Sequence, residues 1–238
     1  MQKNENPGIN RTGSTLNPSL IQDQVAFAES IPASPPVQGS ETIKTVRMEY
    51  IAKSDPAGSL PPLLNQGGVL GKSVEVVGIK AEVFADKLGQ RLVFERSGAR
   101  LYEALMEKAL VIEFPQKAEL TADISHIYTE EVEHFLMLKN IMEYLGADPT
   151  AMTPAANVSG VAAQGFLQVL TDPRTTLHQC LEAILSLELI DSTCWEHLIE
   201  AANEAEMGEL TENFQQANKA EKEHVKTIEK WVKATAYT

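Results

Sequence analysis

The sequence predicts an all-α fold: an antiparallel four-helix bundle with a long crossover between its second and third helices, preceded by an irregular N-terminal arm. Three observations predict it. From about residue 82 onward, apolar residues recur at helical spacing through four long stretches. A short turn joins the first stretch to the second, whereas a much longer connection separates the second from the third. The pattern Glu-x-x-His occurs twice, at Glu131/His134 and Glu221/His224, each time about one helix length downstream of a lone glutamate, Glu95 or Glu188.

Residues 1–80 are expected to form an irregular or flexible arm. Up to about residue 42 the chain is rich in Asn, Ser, Pro, Gly and Gln, with no sustained period of 2 or 3.6. TVRMEYIA, 45–52, has strand character, and SDPAGSLPPLLNQGG then breaks regular structure. Around 69 to 80, VLGKSVEVVGI suits a short strand or turn. Gly71-Lys72-Ser73 resembles the end of a phosphate-binding loop, but Gln66 stands where that motif needs its first glycine, so nucleotide binding is set aside.

Residues 81–238 are expected to form the bundle. The first helix starts near Glu82; Gly89 and Gly98 within it cost helix propensity and point to close helix packing. Pro115 interrupts the pattern, and so short a turn forces the second helix to return antiparallel. That helix runs over about 118–145 and ends at Gly146, a C-cap, with Asp148-Pro149 beyond. Residues 147–171 form the connection, with TPAANVSG and a shorter apolar piece, AAQGFLQVL. Asp172 as N-cap and Pro173 at N1 start the third helix, which reaches about Met207; Gly208 punctuates, and Thr211 caps the fourth helix.

Composition narrows the function classes. A 43% hydrophobic content over 238 residues supports a sizeable core, and no run approaches the roughly 18 apolar residues that span a bilayer. A net charge of −13 disfavours nucleic acid and anionic membranes as partners. The N-terminus shows no basic start followed by an apolar region, so a cytoplasmic location is expected. Cys180 and Cys194 lie on one predicted helix, about 21 Å apart at about 1.5 Å per residue, too far to bridge. Buried thiols in a reducing compartment are expected.

The repeated motif carries the chemistry. Positions i and i+3 of a helix lie about 60° apart, so a carboxylate and an imidazole can aim at one point. Two such pairs, facing each other, supply one nitrogen to each of two metal ions, and the remaining carboxylates can cap or bridge them. Glu95, Glu131, His134, Glu188, Glu221 and His224 are the candidate ligands. Glu130 rivals Glu131 on periodicity; Ala220 holds the matching place in the other half, and pairing the halves selects Glu131. Glu182 rivals Glu188, which keeps level with Glu95. A salt bridge to Arg91 or Arg96 is the rival reading of Glu95, and Asp191 is either an acceptor for a histidine N–H or an exposed acid. His126, His178 and His197 point away from the ligand directions.

On these residues, the chain from about 85 to its C-terminus resembles the ferritin-like di-metal carboxylate proteins: ferritins, bacterioferritins and rubrerythrins. A single Glu-x-x-His is weak evidence, and two with matched upstream glutamates are strong. Tyr102, two turns after Glu95, also fits, since ferritins resemble this chain in carrying a tyrosine there; it is either a core aromatic or a catalytic residue beside the metals.

The resemblance implies two iron ions, with manganese as the alternative, and an oxidoreductase that oxidises Fe(II) with O2 or reduces peroxide. It also implies a homodimer. The four-cysteine centre of a full rubrerythrin is missing, so electrons would come from a donor protein; the long arm argues against a storage cage. A dimanganese catalase-like enzyme and a non-catalytic, metal-stabilised bundle with a structural or interaction role are the alternatives.

Overall fold

The computed structural model describes residues 18–32, 39–55, 57–58 and 79–236. Among these, every regular element is helical: α1 (Pro18–Ser30), α2 (Gly39–Lys53), α3 (Ile79–Val111), α4 (Lys117–Tyr144), α5 (Pro154–Thr171), α6 (Leu177–Glu204), a 3-10 turn (Gly208–Leu210) and α7 (Thr211–Thr235). The chain divides into two units, residues 1–55 and 56–238.

The first unit holds α1 and α2, so the arm is not irregular throughout. The strand expected at 45–52 is overturned: it lies inside α2. Val46, Tyr50 and Ile51 favour a strand only against a partner, and no strand exists among the described residues; a helix closes the backbone hydrogen bonds locally. The piece at 69–78, with Gly71-Lys72-Ser73, lies outside the described residues.

The second unit is the bundle. α3 packs against α4 and α6, α7 packs against α4 and α6, and α5 lies along α3 with a smaller contact to α6. The expected hairpins are therefore present, α3 with α4 and α6 with α7. The connection between them is more ordered than expected: α5 is an 18-residue helix in which the apolar piece forms the second half. Thr153 caps it by accepting from the Ala156 N–H, Pro154 sits at its start, and Asp86 of α3 accepts from the Ala155 N–H at 2.8 Å. Gly89 makes room for this junction, since a Cβ there would stand 2.6 Å from the Thr153 side chain.

The ends of the long helices follow their sequence signals, with three corrections. Gly146 adopts φ +73° and the Gly146 and Ala147 N–H groups bond to Glu143 and Met142 carbonyls, the Schellman arrangement that closes α4. α6 does not start at Asp172-Pro173. Its cap is Thr176, which forms a reciprocal capping box with Gln179, while Asp172 ends α5 and binds Arg174. α6 ends at Glu204, with Glu206 in the left-handed conformation at φ 61°, rather than at Met207. Thr211 is the first residue of α7 and its hydroxyl bonds back to the Gly208 carbonyl, so it does not cap the helix.

The core is layered along the bundle. One apolar slab contains Leu88, Leu92, Leu138, Trp195, Leu198 and Phe214, among others. The other contains Leu105, Leu120, Ile124, Leu181, Ile184 and Trp231, among others. On each of α3, α4, α6 and α7 the residues between those slabs are polar and buried: Arg91 and Glu95, Glu131 and His134, Glu188 and Asp191, Glu221 and His224. Of the two cysteines, Cys180 is buried as expected and Cys194 only half-buried.

Candidate metal centre

Each of the four bundle helices contributes to the polar layer because the acidic and imidazole side chains interrupt its apolar stripe at one level. Glu95, Glu131, Glu188 and Glu221 are at most 1% exposed, His224 is 2% and His134 is 9% exposed. Burying so many carboxylates without partners is costly, so the layer must be judged by what each atom faces.

Two overlapping groups of ligand atoms, each with members within 4.8 Å of one another, sit side by side. Glu95, His134 and Glu221 form one; Glu131, Glu188, Glu221 and His224 form the other. A third set joins Glu95, Glu131, Asp191 and Glu221. Glu221 and Glu131 thus lie between the halves, with Glu95 and His134 on one side and Glu188 and His224 on the other. Both imidazoles turn Nδ1 inward. His134 Nδ1 is 2.7 Å from Glu221 Oε1 and 3.6 Å from Glu95 Oε2. His224 Nδ1 is 2.8 Å from Glu221 Oε2, 3.5 Å from Glu131 Oε1 and 3.6 Å from Glu188 Oε2.

The surrounding contacts fix these side chains. Tyr102, wholly buried, donates its hydroxyl to Glu188 Oε1 at 2.6 Å. Glu130 Oε2 lies 2.9 Å from His224 Nε2 and so holds the ring with Nδ1 facing the carboxylates. Arg91, also wholly buried, donates to both Glu95 Oε1 and Asp191 Oδ1. Its guanidinium carbon lies 4.7 Å from the Phe94 ring centre and 4.8 Å from that of Trp195, two cation–π contacts. Gly98 admits the Glu131 carboxylate: a Cβ at that position would stand 2.2 Å from Glu131 Oε2.

The electrostatics are those of a layer held together by shared protons. Burial opposes a charge on His134, but Glu221 and Glu95 override it and push the imidazole up to about 10. His224 is raised too, burial being outweighed by Glu131, Glu188 and Glu221. Burial would raise Glu221, yet the two imidazoles pull it down to about 2. Glu131 is pushed well above the usual carboxylate range by burial, then by Glu221 and Glu95. Burial and the neighbouring Glu188 keep the Tyr102 phenol protonated as a donor.

The donor set fits divalent cations. Glu95 Oε2, Glu131 Oε1 and Oε2, Glu188 Oε2, Glu221 Oε1 and His134 Nδ1 are buried without a hydrogen-bond partner among the described residues; the short His134–Glu221 approach lacks hydrogen-bond direction. Orphan oxygens at such density are expected where cations bind and are rare elsewhere. Four carboxylates and two imidazoles without a thiolate suit iron or manganese.

All six expected ligands are thus brought together, and Tyr102 touches the cluster. His126 and His197 are exposed and His178 faces Thr235 Oγ1 at 3.0 Å, away from it. Asp191 is neither an exposed acid nor bonded to a histidine: Arg91 holds it. The Arg91–Glu95 salt bridge, the rival reading of Glu95, is present beside the cluster, while Arg91's reach to Asp191 and Glu130's to His224 escaped the sequence. Arg91 has a signal, a cation one turn before Glu95; nothing in the spacing shows that Glu130 reaches across to α7.

No protein-family profile matches the chain, and no curated protein does. Among solved structures, one of the ferritin-like, diiron-carboxylate proteins from Bacillus anthracis str. Ames matches with a TM-score of 0.52 at 18% identity, covering 66% of this chain and 99% of that one. Four helices in two hairpins, a long crossover, and that structural match together give the chain a ferritin-like fold.

Proposed function

We propose that the chain is a di-iron carboxylate protein with oxidoreductase chemistry, oxidising Fe(II) with O2 or reducing peroxide. Glu95 and His134 would hold one ion, Glu188 and His224 the other, with Glu131 and Glu221 shared between them. The observation that carries this reading is the convergence of both Nδ1 atoms on buried carboxylate oxygens that lack hydrogen-bond partners. Two such ions would supply redox equivalents and Lewis acidity in a dry core.

The protein's own groups set the conditions for that chemistry. Tyr102 holds Glu188 by one oxygen, and Arg91 does the same for Glu95, so each keeps its other oxygen directed at the cluster. The two apolar slabs exclude water on both sides. Neither the cavity between α3 and α5 nor the one beside Lys80, Lys87, His197 and Glu200 is lined by a cluster residue, which favours a reactant as small as O2 or peroxide over an organic substrate. Free thiols suit a reducing, cytoplasmic setting, where a donor protein would return electrons. The same burial favours, as a second reading, a bundle that binds metal for stability alone.

Elemental mass spectrometry on untagged protein, followed by O2 uptake on adding Fe(II), tests the reading. About two irons per chain and Fe(II)-dependent uptake, both lost in Glu131→Ala/Glu221→Ala, are expected. Bound metal without turnover would leave the stabilised bundle, and manganese in place of iron would move the chemistry toward peroxide disproportionation.

A further inference from the structure

The face of α3 turned away from the cluster carries a second feature. Residues 93, 96, 97, 100 and 101 recur at i, i+3, i+4, i+7 and i+8, one stripe of the helix, whereas Arg91, Glu95, Gly98 and Tyr102 form another. The first stripe and α5 enclose a cavity of about 310 Å³, at the lower end of the range for small-molecule sites.

Its polar rim is cationic. Arg96 and Arg100 line it, with Asn157 and Gln164 opposite. Like charges one helical turn apart repel, and a chain of net charge −13 has acids to spare for them. Yet neither arginine has a carboxylate within 4.0 Å among the described residues, while Lys80, Lys139, Arg174, Lys222 and Lys233 all do. α5 cannot neutralise them either, since its 18 residues include no charged side chain.

Apart from Ser97, the remaining wall is apolar. Val93, Leu101, Val161 and Leu167 line the same cavity, and Val161 and Leu167 are 60% and 42% exposed. A concave site with an arginine pair at one edge and aliphatic side chains along it recognises an anionic head joined to a short apolar tail. Arginine matches the two oxygens of a carboxylate.

We propose that the groove between α3 and α5 is a binding site for a small amphipathic carboxylate, with Arg96 and Arg100 holding the head and Val161 and Leu167 covering the chain. The inference is independent of the metals, because no cluster ligand lines this cavity.

Octanoate titrated into the full chain, followed by calorimetry and amide NMR, tests it. Saturable one-to-one binding is expected, weakened about ten-fold or more in Arg96→Gln/Arg100→Gln as charge-assisted hydrogen bonds are lost. Octanol and acetate, each lacking one half of the recognition, should bind more weakly than octanoate. Neither arginine takes part in an ion pair among the described residues, so the variant should melt as the parent does. Absence of saturation, equal octanoate affinity in the double variant, or phosphate competing as well as octanoate would overturn the proposal. So would sedimentation showing this face closed by a second copy of the chain.

Discussion

Arg91 and Asp191, 100 residues apart in the chain, form an ion pair that solvent does not reach, and the same guanidinium binds Glu95. Removing one partner of a buried pair leaves the other charge uncompensated. Arg91→Met should therefore destabilise the metal-free protein by about 3–5 kcal/mol, and adding Asp191→Asn should recover part of that loss. Denaturant unfolding of the two variants and the parent checks both statements.

Gly98→Ala separates the centre from the fold. The new methyl would collide with Glu131 Oε2, the mobile end of a side chain, so the helices need not move. Alanine also gains about 1 kcal/mol of helix propensity over glycine. The expected outcome is a protein at least as stable without metal as the parent, but holding less metal. Melting temperature and metal content, measured together, would expose an error if both fell or neither changed.

Tyr102→Phe and Glu130→Ala act on the same half of the centre by different contacts. The first frees Glu188 Oε1, and the second frees His224 Nε2. Groups that orient ligands in this way are worth about 10–100-fold in affinity. Competition against a chelator should show a loss of that order for one ion and little change for the other.

The pH dependence of the metal-free protein follows from His134 and Glu221. Folding raises His134 from 6.5 to about 10, so its contribution is complete below 6.5 and is lost as pH rises through about 10. Folding lowers Glu221 from 4.5 to about 2, so its contribution is present above 4.5 and is lost as pH falls through about 2. These two groups hold metal-free stability level between 4.5 and 6.5, while Glu131, Glu188 and Asp191, all raised by burial, weaken it as pH climbs, so stability should peak near 4.5. Metal binding must expel the imidazole protons, so affinity should increase with pH. Thermal melts across pH and calorimetry in buffers of different ionisation enthalpy read the two effects.

Much of this architecture was legible in the sequence, for a physical reason. Glu131/His134 and Glu221/His224 are local pairs on long helices, and one level in the bundle relates them to Glu95 and Glu188. What was not legible depends on contacts between distant parts or on competing local signals. Asp191 looked free to bind a histidine because its partner, Arg91, lies on another helix. TVRMEYIA has strand-forming residues but no strand to join among the described residues. The start of α6 was read from Asp172-Pro173, but the reciprocal hydrogen bonds of the Thr176/Gln179 box outweigh that dipeptide. α5 looked shorter because only AAQGFLQVL was read as an apolar piece, whereas the helix, packed along α3, starts at Pro154.

On the proposed function, the polar layer would also tie the abundance of the protein to the supply of ions. Glu95, Glu131, Glu188, Asp191 and Glu221 against Arg91 leave four negative charges in a dry interior, the charge that two divalent cations neutralise. A newly made chain starved of them must fill its core with borrowed protons, and every ion bound draws the equilibrium toward the folded form. In a cell that degrades what is unfolded, the metal would then act as a chaperone, and scarcity of the ion would be felt first as scarcity of the protein.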